Sequence, residues 1–184
     1  KNFSILTEEK GFIENKDTDN FWIVDPIDGT TNFLNGVPHF CISIALLLDN
    51  EIIAGVIYDP IKDEIFYAEK NGGSYLNNKS IRVSKKNKFS ECLYGVNFRE
   101  NLPENLLIRN TGSAALDLAY VSSGRFDCCL QKNVNLWDIA AGTILIKEAG
   151  GVVDNFELKK FGKISLKASN ERISKDLNEK INIF

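Results

Sequence analysis

Methionine is absent from this 184-residue chain, histidine occurs once, and the four cysteines fall in no Cys-x-x-Cys spacing. Each absence removes a class of chemistry. Zinc sites draw on clustered Cys and His, and a nucleophile-His-acid triad has only His39 to use. Any metal is therefore expected to be hard and oxygen-liganded, which means magnesium, manganese or calcium. Cys41, Cys92, Cys128 and Cys129 read as buried structural thiols of a reducing compartment. No apolar run approaches the roughly 18 residues that span a bilayer, and no charged leader with a small-residue cleavage site opens the chain. Net charge is −3 with both signs mixed, so no basic stripe points to nucleic acid. The expectation is a cytoplasmic protein with no membrane contact and no direct nucleic-acid binding. The absent methionine includes an initiator, so further residues are expected ahead of Lys1. With 43% hydrophobic residues the chain can form one compact domain, or two small lobes sharing a core, without covalent staples.

What is present is more specific. The string Trp22-Ile23-Val24-Asp25-Pro26-Ile27-Asp28-Gly29-Thr30-Thr31-Asn32-Phe33 sets two carboxylates three residues apart, after an apolar run and before Gly-Thr-Thr. Pro26 keeps Asp25 out of helical geometry, so both acids are expected on a rigid turn where a strand ends. Gly29 allows close backbone approach, and the N–H groups of Thr30 and Thr31 would face an anion if a helix opens there. Metal and phosphate could be held together at such a place. Asp-Pro and Asp-Gly are also ordinary turn dipeptides, so spacing alone leaves a solvated turn open. The same applies to the acidic pair Glu8 and Glu9, and Asp138 could serve simply as a helix cap.

Hydrophobic periodicity divides the chain into two parts. Residues 40–48 and 52–58 flank an Asp49-Asn50 turn and read as a hairpin, and short strand signals continue to residue 83. The first part, residues 1–100, is expected to be an antiparallel-sheet lobe carrying the Asp25 to Thr31 motif. A polar stretch, 85–105, interrupted by residues 93–96, reads as the junction. Residues 101–184 are expected to form a smaller α/β lobe. Within it, a helix follows Thr111-Gly112-Ser113-Ala114, with Ser113 or Thr111 as cap, and ends at Gly124. Strand signals at 126–130, 152–154 and 164–168 flank a second helix that starts at Asp138 and ends at Gly150-Gly151.

Together the strings DPIDGTTNF, GSAALD and WDIAAGTILIKEAGG, with the acidic pair upstream, resemble the inositol monophosphatase family, its bacterial SuhB-type members above all. The resemblance runs through nearly the whole chain, although the usual N-terminal helices are missing. It implies a layered αβαβα sandwich with a large antiparallel sheet and a smaller mixed one. It also implies roles. Glu8, Asp25, the Ile27 carbonyl, Asp28 and Asp138 would bind two or three Mg2+ ions. Thr30 and Glu8 would orient the attacking water, with Glu9 in support, and Gly29 and Thr30 would bind phosphate. Gly112, Ser113 and Ala114 would border the alcohol part of the substrate. The reaction implied is lithium-sensitive, magnesium-dependent hydrolysis of a small phosphate monoester by metal-activated water, without a phosphoenzyme.

One departure bears on the substrate. Seven residues before Asp138, where many members carry a glutamate that reads inositol hydroxyls, this chain has Gln131. The stretch 98–108 is also shorter than usual. Myo-inositol 1-phosphate is the first expected substrate. A nucleotide 3′-phosphate, fructose bisphosphate or histidinol phosphate are alternatives, Asp28 and Gln131 being expected to contact the alcohol part. The resemblance further implies a homodimer and, beside catalysis, a protein partner in transcription or ribosomal RNA maturation.

Overall fold

The computed structural model describes residues 2–182. Thirteen strands and four helices follow one another as β1 (Phe3–Thr7), β2 (Gly11–Ile13), β3 (Asp17–Asp28), α1 (Thr30–Leu34), β4 (Cys41–Leu48), β5 (Glu51–Asp59), β6 (Glu64–Glu69), β7 (Gly73–Leu76), β8 (Lys79–Ser80), β9 (Leu93–Val96), β10 (Leu107–Arg109), α2 (Ala114–Ser122), β11 (Cys128–Val134), α3 (Leu136–Glu148), β12 (Gly151–Asp154), β13 (Ile164–Asn170) and α4 (Glu171–Lys180). The first eight strands form one sheet in the order β2-β1-β3-β4-β5-β6-β7-β8, and the other five form a second in the order β10-β9-β11-β13-β12.

The large sheet is antiparallel throughout except where β1 runs parallel to β3. Its hairpin register follows from alternation. Cys41, Ser43, Ala45 and Leu47 of β4 point inward and are buried, while the residues between them are partly or fully exposed. The small sheet is mixed, with β9 parallel to both β10 and β11 and the β11, β13 and β12 neighbours antiparallel. Residues 93–96, inside the expected junction, are thus a strand of the second sheet, and the chain passes between sheets after Ser80.

Helices α2 and α3 lie between the two sheets, and this explains their sequences. Residues 115–122 of α2 are all buried, as are 139–146 of α3. A helix covered on both sides shows no polar stripe, so its apolar residues do not mark one face. The helices approach so closely that a Cβ on Gly142 would lie 2.4 Å from Leu118 Cβ. Helix α4 is the contrasting case. Ile173 and Leu177 recur at four-residue spacing and pack, with Ile181, on the far side of the small sheet against Tyr94, Cys128 and Leu130.

Cys128 and Cys129 fall in different cores, Cys129 in the central one and Cys128 in the outer one, as alternation along β11 requires. All four cysteines are buried and free. The layers thus run sheet, helices, sheet, helix. No helix of the described residues is long and apolar enough to cross a membrane.

Candidate active site

The feature that places the first two acids is an irregularity in β3. Between Asp25 and Asp28 the pairing with β4 shifts, because Asp25 sits opposite Ser43 and Asp28 opposite Cys41. Three steps on one strand match two on the other, which is a bulge. In a regular strand, residues three apart face opposite sides of the sheet. The extra residue turns both carboxylates inward, leaving Asp25 1% and Asp28 8% exposed. The expected strand end at Val24 is therefore corrected. β3 continues through the Asp-Pro-Ile-Asp segment, and the turn expected there is a bulge within the ladder.

Local bonds hold each acid. Asp25 Oδ1 accepts from the Ile27 N–H at 2.9 Å. Asp28 Oδ2 accepts from the Ser113 hydroxyl and, at 2.8 Å, from the Ala115 N–H. Ser113 caps α2, its Oγ also accepting from the Leu116 N–H. The start of α2 thus anchors Asp28 from 85 residues away in sequence. Asp138 reaches the same place from α3. The cap of α3 is Asn135, which corrects the expected cap role of Asp138. Asp138 stands three positions inside the helix, where Oδ2 accepts from the Asn135 N–H at 2.7 Å. This is the carboxylate half of a capping box.

Asp25, Asp28 and Asp138 each offer a ligand oxygen, and these oxygens all lie within 4.8 Å of one another. Bare carboxylates resist such crowding, because a pair at about 4 Å repels by roughly 1–4 kcal/mol depending on screening. All three are pushed above the usual carboxylate range, by burial first. Asp25 is raised to about 8, first by burial and then by repulsion from Asp28, Glu8 and Asp138. Burial raises Asp28 to about 6, opposed by its bonds from Ser113, Ala115, Ala114 and Cys41. Asp138 rises to about 7 through burial, against the Asn135 bond and the Lys163 charge and with the repulsion of Asp28 and Glu8. A divalent cation would relieve both the desolvation and the repulsion. An all-oxygen donor set with no histidine suits a hard ion.

Glu8 follows the end of β1, whose parallel register sets Thr7 opposite Val24. That pairing carries Glu8 toward Asp25, and Glu8 lines a cavity of about 230 Å3 with Asp28, Gly112, Ser113, Ala114, Gln131 and Asp138. Glu8 and Glu9 are both exposed. Beyond the acids, Gly29 takes up φ +92°, and a Cβ there would lie 3.1 Å from the His39 carbonyl. It precedes α1, whose Thr30 hydroxyl donates to the Ile27 carbonyl at 2.9 Å. The first N–H groups of a helix have no partner within it, which leaves those of Thr30 and Thr31 available to an acceptor outside the helix.

The inositol monophosphatase family model matches residues 1–182. The chain belongs to that family. An inositol-1-monophosphatase of Mesorhizobium japonicum is 42% identical, covering 84% of this chain and 64% of its own length. The Nus factor SuhB of Haemophilus influenzae is 40% identical over 97% of this chain and 73% of its own. Among solved structures, the extragenic suppressor protein SuhB of Bartonella henselae superposes with a TM-score of 0.88 at 40% identity, covering 97% of this chain and 75% of that one. The chain thus spans under two thirds of the first relative and about three quarters of the others. The family supports the layered fold and a metal-dependent phosphatase type of site.

Sequence reasoning overlooked several residues around the site. Asp117, the last letter of the GSAALD string, is 2% exposed and lines the cavity. Asn32 ties the segments together, its Nδ2 donating to the carbonyls of His39 and Thr111 at 2.7 and 2.8 Å. Asn135 was detectable as the residue three before Asp138 in a capping-box pattern. The Asn32 bridge had no local signal, because Thr111 lies 79 residues away. His39 packs edge-on against Tyr120, with ring centroids 6.0 Å apart.

Proposed function

We propose that this chain hydrolyses small polyol or sugar monophosphates in the presence of Mg2+, with myo-inositol 1-phosphate the first substrate to test. The observation that carries this is the convergence of Asp25, Asp28 and Asp138, drawn from a bulged strand and a helix start, beside the opening of α1. Those three carboxylates, Glu8 and the Ile27 carbonyl would hold two or three magnesium ions. Bound magnesium would neutralise phosphate charge, acidify water and stabilise the leaving oxygen. A general base alone supplies about 10²–10⁴, whereas enzymatic hydrolysis of phosphate monoesters reaches accelerations of about 10²¹, so the metal sites are needed.

The protein groups have their own work. Gly29 and Thr30 N–H groups receive phosphate oxygens. The Thr30 hydroxyl, whose proton is committed to the Ile27 carbonyl, presents a lone pair that accepts from the attacking water, and Glu8 takes part in orienting it. Gly112, Ser113, Ala114 and Gln131 border the alcohol. A phosphate-release panel in magnesium, covering myo-inositol 1-phosphate, fructose 1,6-bisphosphate, a nucleoside 3′-phosphate and histidinol phosphate, tests this. One of these is turned over, lithium inhibits, and Asp25→Asn falls to background. Full turnover by Asp25→Asn would refute the reading.

A second reading is supported by the name of the Haemophilus influenzae relative, a Nus factor. In it the chain also binds a protein of the transcription machinery, and assembles as a homodimer. Capture of RNA polymerase or a Nus protein by Asp25→Asn would separate this role from catalysis, and no retained partner for either form would count against it.

A further inference from the structure

Residues 155–163, between β12 and β13, touch two elements that carry acids of the site. Phe156 and Leu158 pack against the central core and seat the segment. Beyond them the Lys160 ammonium stands 3.0 Å from the centroid of the Phe12 ring and 5.1 Å from that of Phe21, as a cation over an aromatic face. Phe12 lies on β2, four residues after Glu8, and meets Phe21 of β3 edge-on with centroids 5.4 Å apart. Three residues after Lys160, the Lys163 ammonium donates to Asn135 Oδ1 at 2.9 Å. Asn135 caps α3, and its N–H holds the Asp138 carboxylate. Both fastened elements line one cavity, through Glu8 on one side and Asn135 and Asp138 on the other.

Glu8 is the acid most in need of such a hold. β2 has three residues and forms the edge of the large sheet, so its ladder has a single neighbour, β1. Glu8 is exposed, and it contributes no oxygen to the group that Asp25, Asp28 and Asp138 bring within 4.8 Å. The ladder fixes only the base of its turn, through Thr7 and Gly11. We propose that residues 155–163 are a strap, with Lys160 and Lys163 as positioning residues, that ties the Glu8 hairpin to the start of α3 and so holds Glu8 beside the three aspartates for a divalent cation. The inference rests on the metal-dependent reading above and deepens it.

A lysine near an acidic cluster could also act through its charge, and the two roles have opposite signs. By charge alone, removing a cation beside four carboxylates strengthens binding of a divalent ion. Loss of a strap weakens it. Calorimetric titration of the metal-free protein with magnesium separates the two. Lys160→Met keeps an unbranched apolar stem and takes the charge from the ring, and magnesium affinity should fall about two- to fivefold, the worth of one cation–π contact. Lys163→Met should lower it by a similar factor, and Lys160→Arg, which still sets a cation over Phe12, should retain it. In a Phe12→Leu background Lys160→Met should add nothing, since the ring is already gone. Amide hydrogen exchange of residues 8–13 in the metal-free protein should quicken in Lys160→Met and Lys163→Met while their thermal unfolding stays that of the wild type. Unchanged or tighter magnesium binding in these two variants, exchange that does not quicken, or an equal loss from Lys160→Met with and without the Phe12 ring would overturn the proposal. Titration and exchange need no substrate, so the strap and the phosphatase reading can fail separately. If the wild type turns over no phosphate ester, that reading falls and magnesium affinity still decides the strap. A wild type that binds no magnesium sinks the strap as well.

Discussion

Replacing Asp25 by Asn should stabilise the metal-free protein while abolishing its turnover. Asp25 is 1% exposed, and its carboxyl rises from 3.8 to about 8 through burial and the repulsion of Asp28, Glu8 and Asp138. In the unfolded chain the same group ionises near its ordinary value, so between about pH 4 and pH 8 the folded protein holds a proton that the unfolded chain has lost. Stability therefore falls as pH rises across that window and levels off above it. At pH 7 the interval of about 3 pH units above 3.8 corresponds to about 4 kcal/mol, of which sharing with Asp28 and Asp138 leaves about 2–4 kcal/mol assignable to this side chain. Asn removes the ionisable group and keeps an oxygen for the Ile27 N–H. For a chain of this size, at least about 4 °C in Tm follows. Thermal unfolding in chelator at pH 5.5 and pH 8 is the assay. The gain should be larger at pH 8, and added magnesium should raise the Tm of the wild type far more than that of the variant. An Asp25→Asn protein that melts at or below the wild type at pH 8 in chelator would refute the argument.

Two further substitutions probe the supports of the site. Gly29→Ala forces a Cβ to within 3.1 Å of the His39 carbonyl at φ +92°, and should cost about 1–3 kcal/mol, read as a lower urea midpoint together with a raised KM for phosphate esters. Ser113→Ala removes both the α2 cap and a bond to the Asp28 carboxylate, about 2–3 kcal/mol together, and should weaken magnesium binding measured calorimetrically. Unchanged magnesium affinity in Ser113→Ala would show that the remaining partners, the Ala115 and Ala114 N–H groups and the Cys41 thiol, suffice to hold Asp28.

Much of the fold was legible because its signals are local. The β4–β5 hairpin announced itself by alternation and an Asp49-Asn50 turn, and both turn residues adopt positive φ. Ser113 was among the caps expected for α2, and it caps that helix. The amphipathic α4 went unrecognised although Ile173 and Leu177 are correctly spaced, since the strand and helix signals were followed only as far as residue 168. β1 and β2 were missed for a different reason. β1 pairs with β3 in parallel, an arrangement stabilised by contacts remote in sequence rather than by any turn between them.

The chain by itself determined the kind of chemistry available. Without clustered His and Cys, and with Asp25, Asp28, Asp138 and Glu8 in their sequence surroundings, only an oxygen-liganded site was open to it. Which carboxylates meet, and how unwillingly, was decided by tertiary structure. A bulge turns two acids to one face, the starts of α2 and α3 fix Asp28 and Asp138, and burial between the layers raises their proton affinity. The seating of residues 155–163 belongs to the same class. Lys160 meets Phe12 from the other end of the chain, and spacing along the sequence carries no record of such a contact.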